Sequence, residues 1–195
     1  MNTESDNCCI EGIQNCNNFI SVPLCYQETE YTCGIACIQS LLAFYGIYYR
    51  QNALADLLHS QPILGTDSQS ILFFMQLLGF KASMVDNMEI NDIQEYINAG
   101  ITPILLIQAW VEDDIEYPYD WKDPHYIIAC GYYENGIYVM DPYTLGNYTY
   151  LPYCELVNRW HVVDKSGVRH FNSGLIIEYE NCPVRYNPNT IKHLG

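Results

Sequence analysis

The strongest constraint on the fold is a change of hydrophobic pattern at Pro103. Before this residue, apolar side chains recur at helical spacing, most clearly at Ile35, Ile38, Leu41, Leu42 and Tyr45. After it, apolar residues stand in short continuous runs typical of buried strands, namely PILLIQAW, HYIIACGYY and GIYVMDP. Helices followed by an antiparallel sheet predict an α+β fold.

Cap residues, glycines and prolines give the expected ends of the helices and strands. We predict a first helix from Thr32 or Cys33 to Gly46 and a second over about 52–59, whose Leu54, Leu57 and Leu58 face the core. A third helix is expected from a cap at Thr66 or Ser68 to Gly79, and a fourth from a cap at Asn91 to Gly100. A fifth is expected from Pro152 to about Trp160. FKASMVD and GLIIEYE are further predicted strands, and FISVPL is a short strand or an extended lead-in. Asn135-Gly136 favours a tight hairpin in which His125 faces a residue near 145.

A chain of 195 residues favours one domain, here expected over 19–182. Residues 1–18 are polar and acidic and predict a flexible tail, and 183–195 are expected to form a C-terminal tail. The segment 111–123 is acidic and aromatic, and it is too irregular to assign to a strand or a helix.

The formal net charge of −15 disfavours binding to nucleic acid and to anionic membranes. No run reaches the roughly 18 apolar residues of a membrane helix, so membrane insertion is not expected. The N-terminus lacks the basic and apolar regions of a secretory signal. We therefore expect a cytoplasmic protein, or one exported without a cleavable signal peptide, for instance as a secreted effector. The oligomeric state does not follow from the sequence.

Nine cysteines are an odd count, so at least one is free of intramolecular disulfides. Without a signal sequence, mostly free thiols are expected. Cys8, Cys9 and Cys16 cluster near the N-terminus, but no CxxC pair or nearby histidine completes a zinc pattern. We expect no metal and no cofactor. A metal or redox role for Cys33 and Cys37, four residues apart, is the weakest alternative.

Cys33 stands where the first helix begins, and a helix N-terminus favours the reactive thiolate. Cys37, one turn further in, is expected to pack in the core. A nucleophilic thiol needs a histidine, and among five histidines only His125 opens a strongly apolar strand. The alternative is a half-exposed histidine at a strand edge.

Two further residues complete a set for acyl chemistry. Asp141 ends the partner strand and lies at the same end of the sheet as His125, where it would orient the imidazole. Gln27 lies six residues before Cys33, and its amide, with the Cys33 N–H, would stabilise an oxyanion. Taken singly, Asp141 also fits a turn and Gln27 an ordinary loop.

The segments YQETEYTCGIACIQSLLAFYG and PHYIIACGYYENGIYVMDP resemble the C39 family of papain-like cysteine peptidases, the bacteriocin-processing, double-glycine peptidases. The matching residues are Gln27, Cys33-Gly34-Ile35-Ala36, His125 and Asp141-Pro142, and GTDSQSILFFMQLLGFKASMV resembles the middle of the family. The resemblance covers about 20–180.

The resemblance implies a papain-like fold with a helical half and a sheet half. It implies Cys33 as nucleophile, His125 as base and then acid, Asp141 as its orienting residue, and Gln27 in the oxyanion hole. Many relatives belong to bacterial peptide exporters, whereas this chain shows no transmembrane segment or nucleotide-binding motif and resembles a stand-alone domain. A role on leader peptides is therefore not carried over.

The expected function is hydrolysis of a peptide or isopeptide bond. Members of the C39 family often accept glycine before the scissile bond, and the same preference would suit a substrate protein whose tail ends in Gly-Gly. Gly34, Trp110 and Trp121 are predicted to contact the substrate, although core packing also fits the tryptophans. The acidic residues of 111–123 favour a basic or amide-rich substrate, so their neutralisation should weaken turnover of a basic one. Deamidation, transpeptidation and an inactive binding module are the alternatives.

Overall fold

The computed structural model describes residues 18–110, 116–179, 183–191 and 193–194, and within these ranges it contains five α-helices and eight β-strands. The helices are α1 (Cys33–Phe44), α2 (Gln51–Leu57), α3 (Ser68–Leu77), α4 (Ile90–Asn98) and α5 (Tyr153–Arg159). The strands are β1 (Lys81–Val85), β2 (Ile104–Gln108), β3 (Pro124–Tyr133), β4 (Gly136–Met140), β5 (Thr149–Pro152), β6 (His161–Val163), β7 (Arg169–Phe171) and β8 (Gly174–Glu178).

Six of the strands form one sheet in the order β1-β8-β2-β3-β4-β5, and every neighbouring pair is antiparallel. Strands β6 and β7 form a separate two-stranded ribbon. The predicted α+β class is confirmed. Strands β2, β3 and β4, which carry the most apolar runs, lie in the interior of the sheet, where both faces are covered.

Alternate residues of the central strands enter two different cores. Leu106, Tyr126 and Ile128 belong to the cluster shared with α1, α2 and α3. Ile107 and Ile127 face the opposite side and join the cluster that contains residues of α4 and α5. Because side chains alternate along a strand, one sheet separates the two cores and holds the residues at its end in a fixed position.

Helix α1 is buried along its whole length, with only Gln39 and Ala43 partly accessible. A helix that is apolar on all sides belongs in the centre of a protein. It packs on β3 and contributes Ile35, Ile38 and Leu41 to the core. The N-terminus of α1 therefore has a fixed position relative to the sheet.

The predicted helices all exist, with differences at their ends. Asp67, not Thr66 or Ser68, caps α3, since its carboxylate accepts from the Ser70 N–H at 3.2 Å. Glu89 replaces the expected Asn91 as the cap of α4 and forms a capping box with Asp92. The predicted stops Gly46, Gly79 and Gly100 all have positive φ.

Leu57 was expected to face the core but is 53% exposed, whereas Leu54 and Leu58 are buried. Helix α2 ends at Leu57, two residues earlier than expected, and the chain then turns. Helical spacing thus predicts the burial of Leu54 and Leu58 correctly and fails at Leu57, the last residue of the helix.

Of the two alternatives predicted for FISVPL, the short strand does not form, and the segment contacts the sheet through the Ile20 N–H, which donates to the Cys130 carbonyl at 2.7 Å. The strands show two differences from the sequence prediction. Strands β5, β6 and β7 were not predicted, because runs of three or four residues are too short to show a period. The hairpin of β3 and β4 forms as expected, but Ile128 pairs with Met140 beyond an irregularity at Cys130, so extending the ladder places His125 opposite Tyr143.

The part of the C-terminal segment that the structure describes lies against the end of α1. The N–H groups of Arg185 and Tyr186 both donate to the Phe44 carbonyl at 3.1 Å. The predicted N-terminal tail lies outside the described residues except for Asn18, and so do 111–115 of the acidic loop. None of the described helices has both the length and the apolar character needed to cross a bilayer.

Candidate active site

Cys33 is the first residue of α1 and is 7% exposed. Thr32 precedes the helix without a side-chain cap, which leaves the first N–H groups of α1 free to face a negative charge. Burial raises the pKa of the Cys33 thiol, but the hydrogen bond and charge of His125, with backbone hydrogen bonds from Tyr126 and Gly34, lower it below the ordinary value. The site thus favours a thiolate.

His125 is the second residue of β3, and its backbone pairs with Ile107 of β2. Its Nε2 lies 2.8 Å from Asp141 Oδ1, which leaves Nδ1 to form the side-chain hydrogen bond with Cys33. Burial lowers the pKa of His125, but hydrogen bonds to Asp141 and Cys33 and both negative charges raise it to about 9. A protonated imidazole therefore stands between two anions.

Asp141 follows β4 directly, at the same end of the sheet as His125. Its Oδ1 also accepts from the Tyr143 N–H at 3.0 Å, and its Oδ2 accepts from the Thr144 hydroxyl at 2.9 Å. Burial raises the pKa of the Asp141 carboxyl, but these hydrogen bonds and the charge of His125 bring it below the ordinary value. The carboxylate is thus ionised and held in one orientation.

Gln27 is 4% exposed and lies in the loop before α1. Its N–H donates to the Pro142 carbonyl at 2.9 Å, which ties this loop to the residue after Asp141. Its Nε2 donates to the Thr29 carbonyl at 2.8 Å, while its buried Oε1 has no partner among the described residues. An amide nitrogen carries two hydrogens, so one N–H of Gln27 is available for a substrate oxygen.

Gln51, the first residue of α2, clamps the backbone on both sides of Gln27. Its Nε2 donates to the Tyr26 carbonyl at 2.7 Å, and its Oε1 accepts from the Glu28 N–H at 3.1 Å. The same Nε2 donates to Gln39 Oε1 at 3.0 Å. Since a single side-chain hydrogen bond holds the Gln27 amide, this clamp fixes the position of Gln27 largely through its backbone.

The family resemblance implies that Gln27 stabilises an oxyanion, and on that expectation replacing Gln51 by alanine should displace Gln27 and lower kcat for peptide turnover about tenfold with little change in KM. Kinetics of Gln51→Ala, Gln27→Ala and the double variant measure this directly. The double variant should be no slower than Gln27→Ala, as expected for residues that act as a unit. Gln39→Ala, which changes the same network without touching 26–28, is the control. Equal losses in Gln39→Ala and Gln51→Ala would contradict the assignment.

The residues predicted to contact substrate lie in three different surroundings. Trp110 is 43% exposed, and its ring lies 5.3 Å from that of His125 and 4.8 Å from that of Tyr143. Gly34 is buried, and a Cβ atom there would lie 3.2 Å from both Thr66 Cβ and Tyr126 Cδ2. Gly34 thus permits close packing of α1, whereas Trp110 lies beside the histidine.

Trp121 lies on the two-stranded ribbon instead. Its ring is 4.4 Å from that of His161 and 5.5 Å from that of Phe171, and the Arg169 guanidinium lies 4.4 Å above it. It is not among the residues that line the cavity at Cys33. The structure therefore brings Cys33, His125, Asp141, Gln27 and Trp110 into one region and places Trp121 outside it.

A cavity of about 260 Å³ opens at Cys33, between the helices and the sheet. Trp110 and His125 form part of its wall, and Ile63, Leu64 and Met84 add apolar surface. At its edge Lys165 forms a 2.8 Å ion pair with Asp67, joining the loop after β6 to the cap of α3. The cavity is large enough for a few residues of an extended peptide.

Two of the other histidines, His161 and His170, have structural partners. His161 is buried, with Nε2 2.7 Å from the Asp120 carbonyl, as expected for a structural histidine. His170 lies in β7 with its ring between Asp86 and Asp164. Within the described residues, neither ring forms a hydrogen bond with Cys33.

The other cysteines of the described segments are free thiols, and three of them are held in surroundings unlike that of Cys33. Burial raises the pKa of Cys25 to about 11 and that of Cys130 to about 12, and it raises the pKa of Cys37 as well. Cys154 is exposed. In the described part of the chain, no three His, Cys, Asp or Glu side chains gather as a metal site would require. Cys8, Cys9 and Cys16 lie outside it.

Two residues of the site were missed in the sequence. Thr144 could have been found, because Asp-Pro-Tyr-Thr is a turn sequence in which the aspartate side chain accepts from the residues that follow. Gln51 carries no such signal, since 24 residues separate it from Gln27 and only the packing of α2 brings them together.

Comparison with known proteins adds a family and a fold. The model of the Peptidase_C39 like family matches residues 19–168. A comparison with curated proteins finds no significant match.

Three solved structures are similar. The peptidase domain of Streptococcus ComA, a bi-functional ABC transporter involved in quorum sensing, has a TM-score of 0.60 at 18% identity over 80% of this chain and 98% of its own. A double glycine motif protease from an AMS/PCAT transporter, in complex with the leader peptide, has a TM-score of 0.59 at 15% identity over 84% and 95%. A protein from Bacillus anthracis described as C39-like peptidase has a TM-score of 0.62 at 15% identity over 85% and 99%. The predicted papain-like fold is confirmed.

Proposed function

Because the chain belongs to the Peptidase_C39 like family, we propose that it is a cysteine peptidase whose nucleophile is Cys33. The observation that carries this proposal is the position of His125, which bridges Cys33 and Asp141 through its two ring nitrogens. A buried thiol is inert unless a neighbour stabilises its thiolate. The imidazolium of His125 supplies that stabilisation, and Asp141 keeps the imidazole protonated and oriented.

In the first half of the reaction, the Cys33 thiolate attacks the carbonyl carbon of the scissile bond. The carbonyl oxygen becomes an oxyanion, which the Cys33 N–H and the free N–H of Gln27 stabilise. His125 then donates its proton to the leaving nitrogen, the C–N bond breaks, and a thioester to Cys33 remains. In the second half, neutral His125 takes a proton from water, and the hydroxide releases the acyl group.

The proposed substrate is a peptide cleaved after glycine. The support comes from similarity, since one of the solved neighbours is a double glycine motif protease in complex with a leader peptide. Trp110 beside His125 is also compatible with a narrow approach to the thiol, which glycine passes most easily.

The test is turnover of peptides that differ only in the two residues before one bond, namely Gly-Gly, Gly-Ala, Ala-Gly and Ala-Ala. Products are identified by mass spectrometry, with protein alkylated at Cys33 as the blank. Cleavage after Gly-Gly, fastest in the series, is the expected result. Added glycinamide separates hydrolysis from transpeptidation, and a glutamine peptide tests deamidation. If no peptide gives a hydrolysis, transpeptidation or deamidation product, and none forms a thioester with Cys33, the inactive binding module would be favoured.

A further inference from the structure

A second cavity, of about 200 Å³, touches the same histidine from another side. We call it the rear cavity. It shares His125 and Trp110 with the cavity at Cys33, and Asp141 also lines it. Its floor includes Ile127 and Val139 of the second core, whereas Cys33 belongs to the first. The rear cavity therefore lies past His125 as seen from the nucleophile.

Arg159, the last residue of α5, lines the rear cavity. Its Nη2 donates a hydrogen bond to the Ala109 carbonyl at 3.0 Å, and its guanidinium carbon lies 3.9 Å from the centre of the Tyr117 ring. The Nε atom is buried without a hydrogen-bond partner in the described part of the chain. A guanidinium has five N–H donors, so these contacts leave most of them unused.

No carboxylate within the described ranges forms an ion pair with Arg159. Glu155, one turn earlier on α5, also lines the rear cavity but is exposed to solvent. Burial lowers the pKa of Arg159, which shows that its charge is poorly solvated. A partly buried guanidinium with unused donors is suited to bind a carboxylate, since the two groups fit as a pair of parallel hydrogen bonds.

We propose that Arg159 binds a carboxylate on the substrate segment that follows the scissile bond. The proposal rests on the peptidase function proposed above. His125 must reach the leaving nitrogen to protonate it, so the leaving segment passes His125 on the side away from the acyl group. The rear cavity begins at His125 and Trp110, and Arg159 is the only lysine or arginine among its described lining residues.

The net charge of −15 repels an acidic peptide at long range, so selection for a carboxylate depends on this local contact. Two sources supply the same group, namely the C-terminal carboxylate of a short leaving segment and the side chain of Asp or Glu. Both are planar acceptors for the guanidinium, and they differ in the length of leaving segment that they require.

The test uses peptides that share one Gly-Gly acyl part and differ after the scissile bond. Leaving segments of one to three residues carry a free C-terminal acid or an amide, and amidated three-residue segments carry Asp or Asn. The readout is the ratio of kcat/KM between each acidic peptide and its neutral match. We expect ratios of about ten in the wild type for the source that reaches Arg159.

The variants are Arg159→Gln, Arg159→Lys and Glu155→Gln. Arg159→Gln should bring the ratio to one, Arg159→Lys should retain part of it, and Glu155→Gln should keep or raise it because a competing carboxylate is lost. The ratio within one variant does not depend on the fraction of folded protein. A wild-type ratio of one, or an equal loss for acidic and neutral peptides in Arg159→Gln, would leave Arg159 only as a support for Ala109 and Tyr117 and overturn the proposal.

Binding of the same peptides to Cys33→Ala, measured by calorimetry, separates this proposal from the peptidase function. Tighter binding of the acidic members that disappears in Cys33→Ala/Arg159→Gln supports the carboxylate site even if no peptide is cleaved. Cleavage without any preference for acidic leaving segments supports the peptidase and removes the carboxylate site. If no peptide is cleaved and acidic and neutral peptides bind equally, both the peptidase function and the carboxylate site are overturned.

Discussion

Peptide turnover is expected to fall by about 10⁴-fold or more when Cys33 is replaced by alanine, because no other group at the site can form the acyl intermediate. Cys154→Ser, which removes an exposed thiol on α5, should retain full activity and is the matched control. Initial rates on the best Gly-Gly peptide, with folding checked by circular dichroism, measure the effect. Residual activity above a hundredth of the wild-type rate would show that another residue is the nucleophile.

Selective alkylation tests the same residue without any substrate. A limiting dose of iodoacetamide, applied between pH 4 and pH 9 and followed by peptide mapping, should modify Cys33 first and still do so below about pH 7. Cys25, Cys37 and Cys130 should react slowly, because burial raises the pKa of each thiol.

His125→Ala should lower the Cys33 alkylation rate below pH 7 by about tenfold or more. In this variant the interaction that lowers the pKa of Cys33 is lost, while the burial that raises it remains. An alkylation rate at Cys33 that ignores His125, or that only equals the rate at Cys154, would contradict a thiolate–imidazolium pair in the free protein.

The sequence predicts where Cys33, His125 and Asp141 lie in the fold better than it predicts the periphery of the fold, for a physical reason. Cys33 begins α1, His125 lies near the start of β3 and Asp141 directly follows β4, and all three elements are strongly apolar and buried. Such elements are buried on every side, so tertiary packing does not compete with their local preference. Their ends, and the residues placed there, can therefore be predicted with little error.

The elements that the sequence does not predict are short and take their form from their neighbours. Strand β5 pairs with β4, and β6 pairs with β7, through runs of three or four residues. Their backbone groups find hydrogen-bond partners on the neighbouring strand, which lies elsewhere in the sequence, so their own residues do not predict them.

Contacts between distant segments are the other limit. The clamp of Gln51 on the Gln27 loop and the contacts of Arg159 with Ala109 and Tyr117 join segments that no local pattern relates. Trp110 and Trp121 show that residues close in the sequence can also lie in different parts of the structure. Both flank one loop, yet one lies against His125 and the other against His161.

Replacing Asp141 by asparagine is expected to lower the maximal rate about 10²-fold and to narrow the pH profile of kcat/KM. The active pair exists above the lowered pKa of Cys33 and below the pKa of His125, which is about 9. The hydrogen bond and charge of Asp141 raise the pKa of His125, so their loss should move the alkaline limb to lower pH.

The acid limb should stay in place. At low pH His125 is protonated with or without Asp141, so its charge lowers the Cys33 pKa in both proteins. The pH range of activity therefore contracts from the alkaline side.

Glu178→Gln is the matched control for the loss of Asp141. It also removes one carboxylate, from a surface ion pair with Lys81 at 3.7 Å, and should leave both limbs in place. Rates measured between pH 5 and pH 10 in buffers of constant ionic strength separate the two variants. An alkaline limb that stays near pH 9 in Asp141→Asn would mean that Cys33 alone keeps His125 protonated, and Asp141 would then act only in orienting the ring.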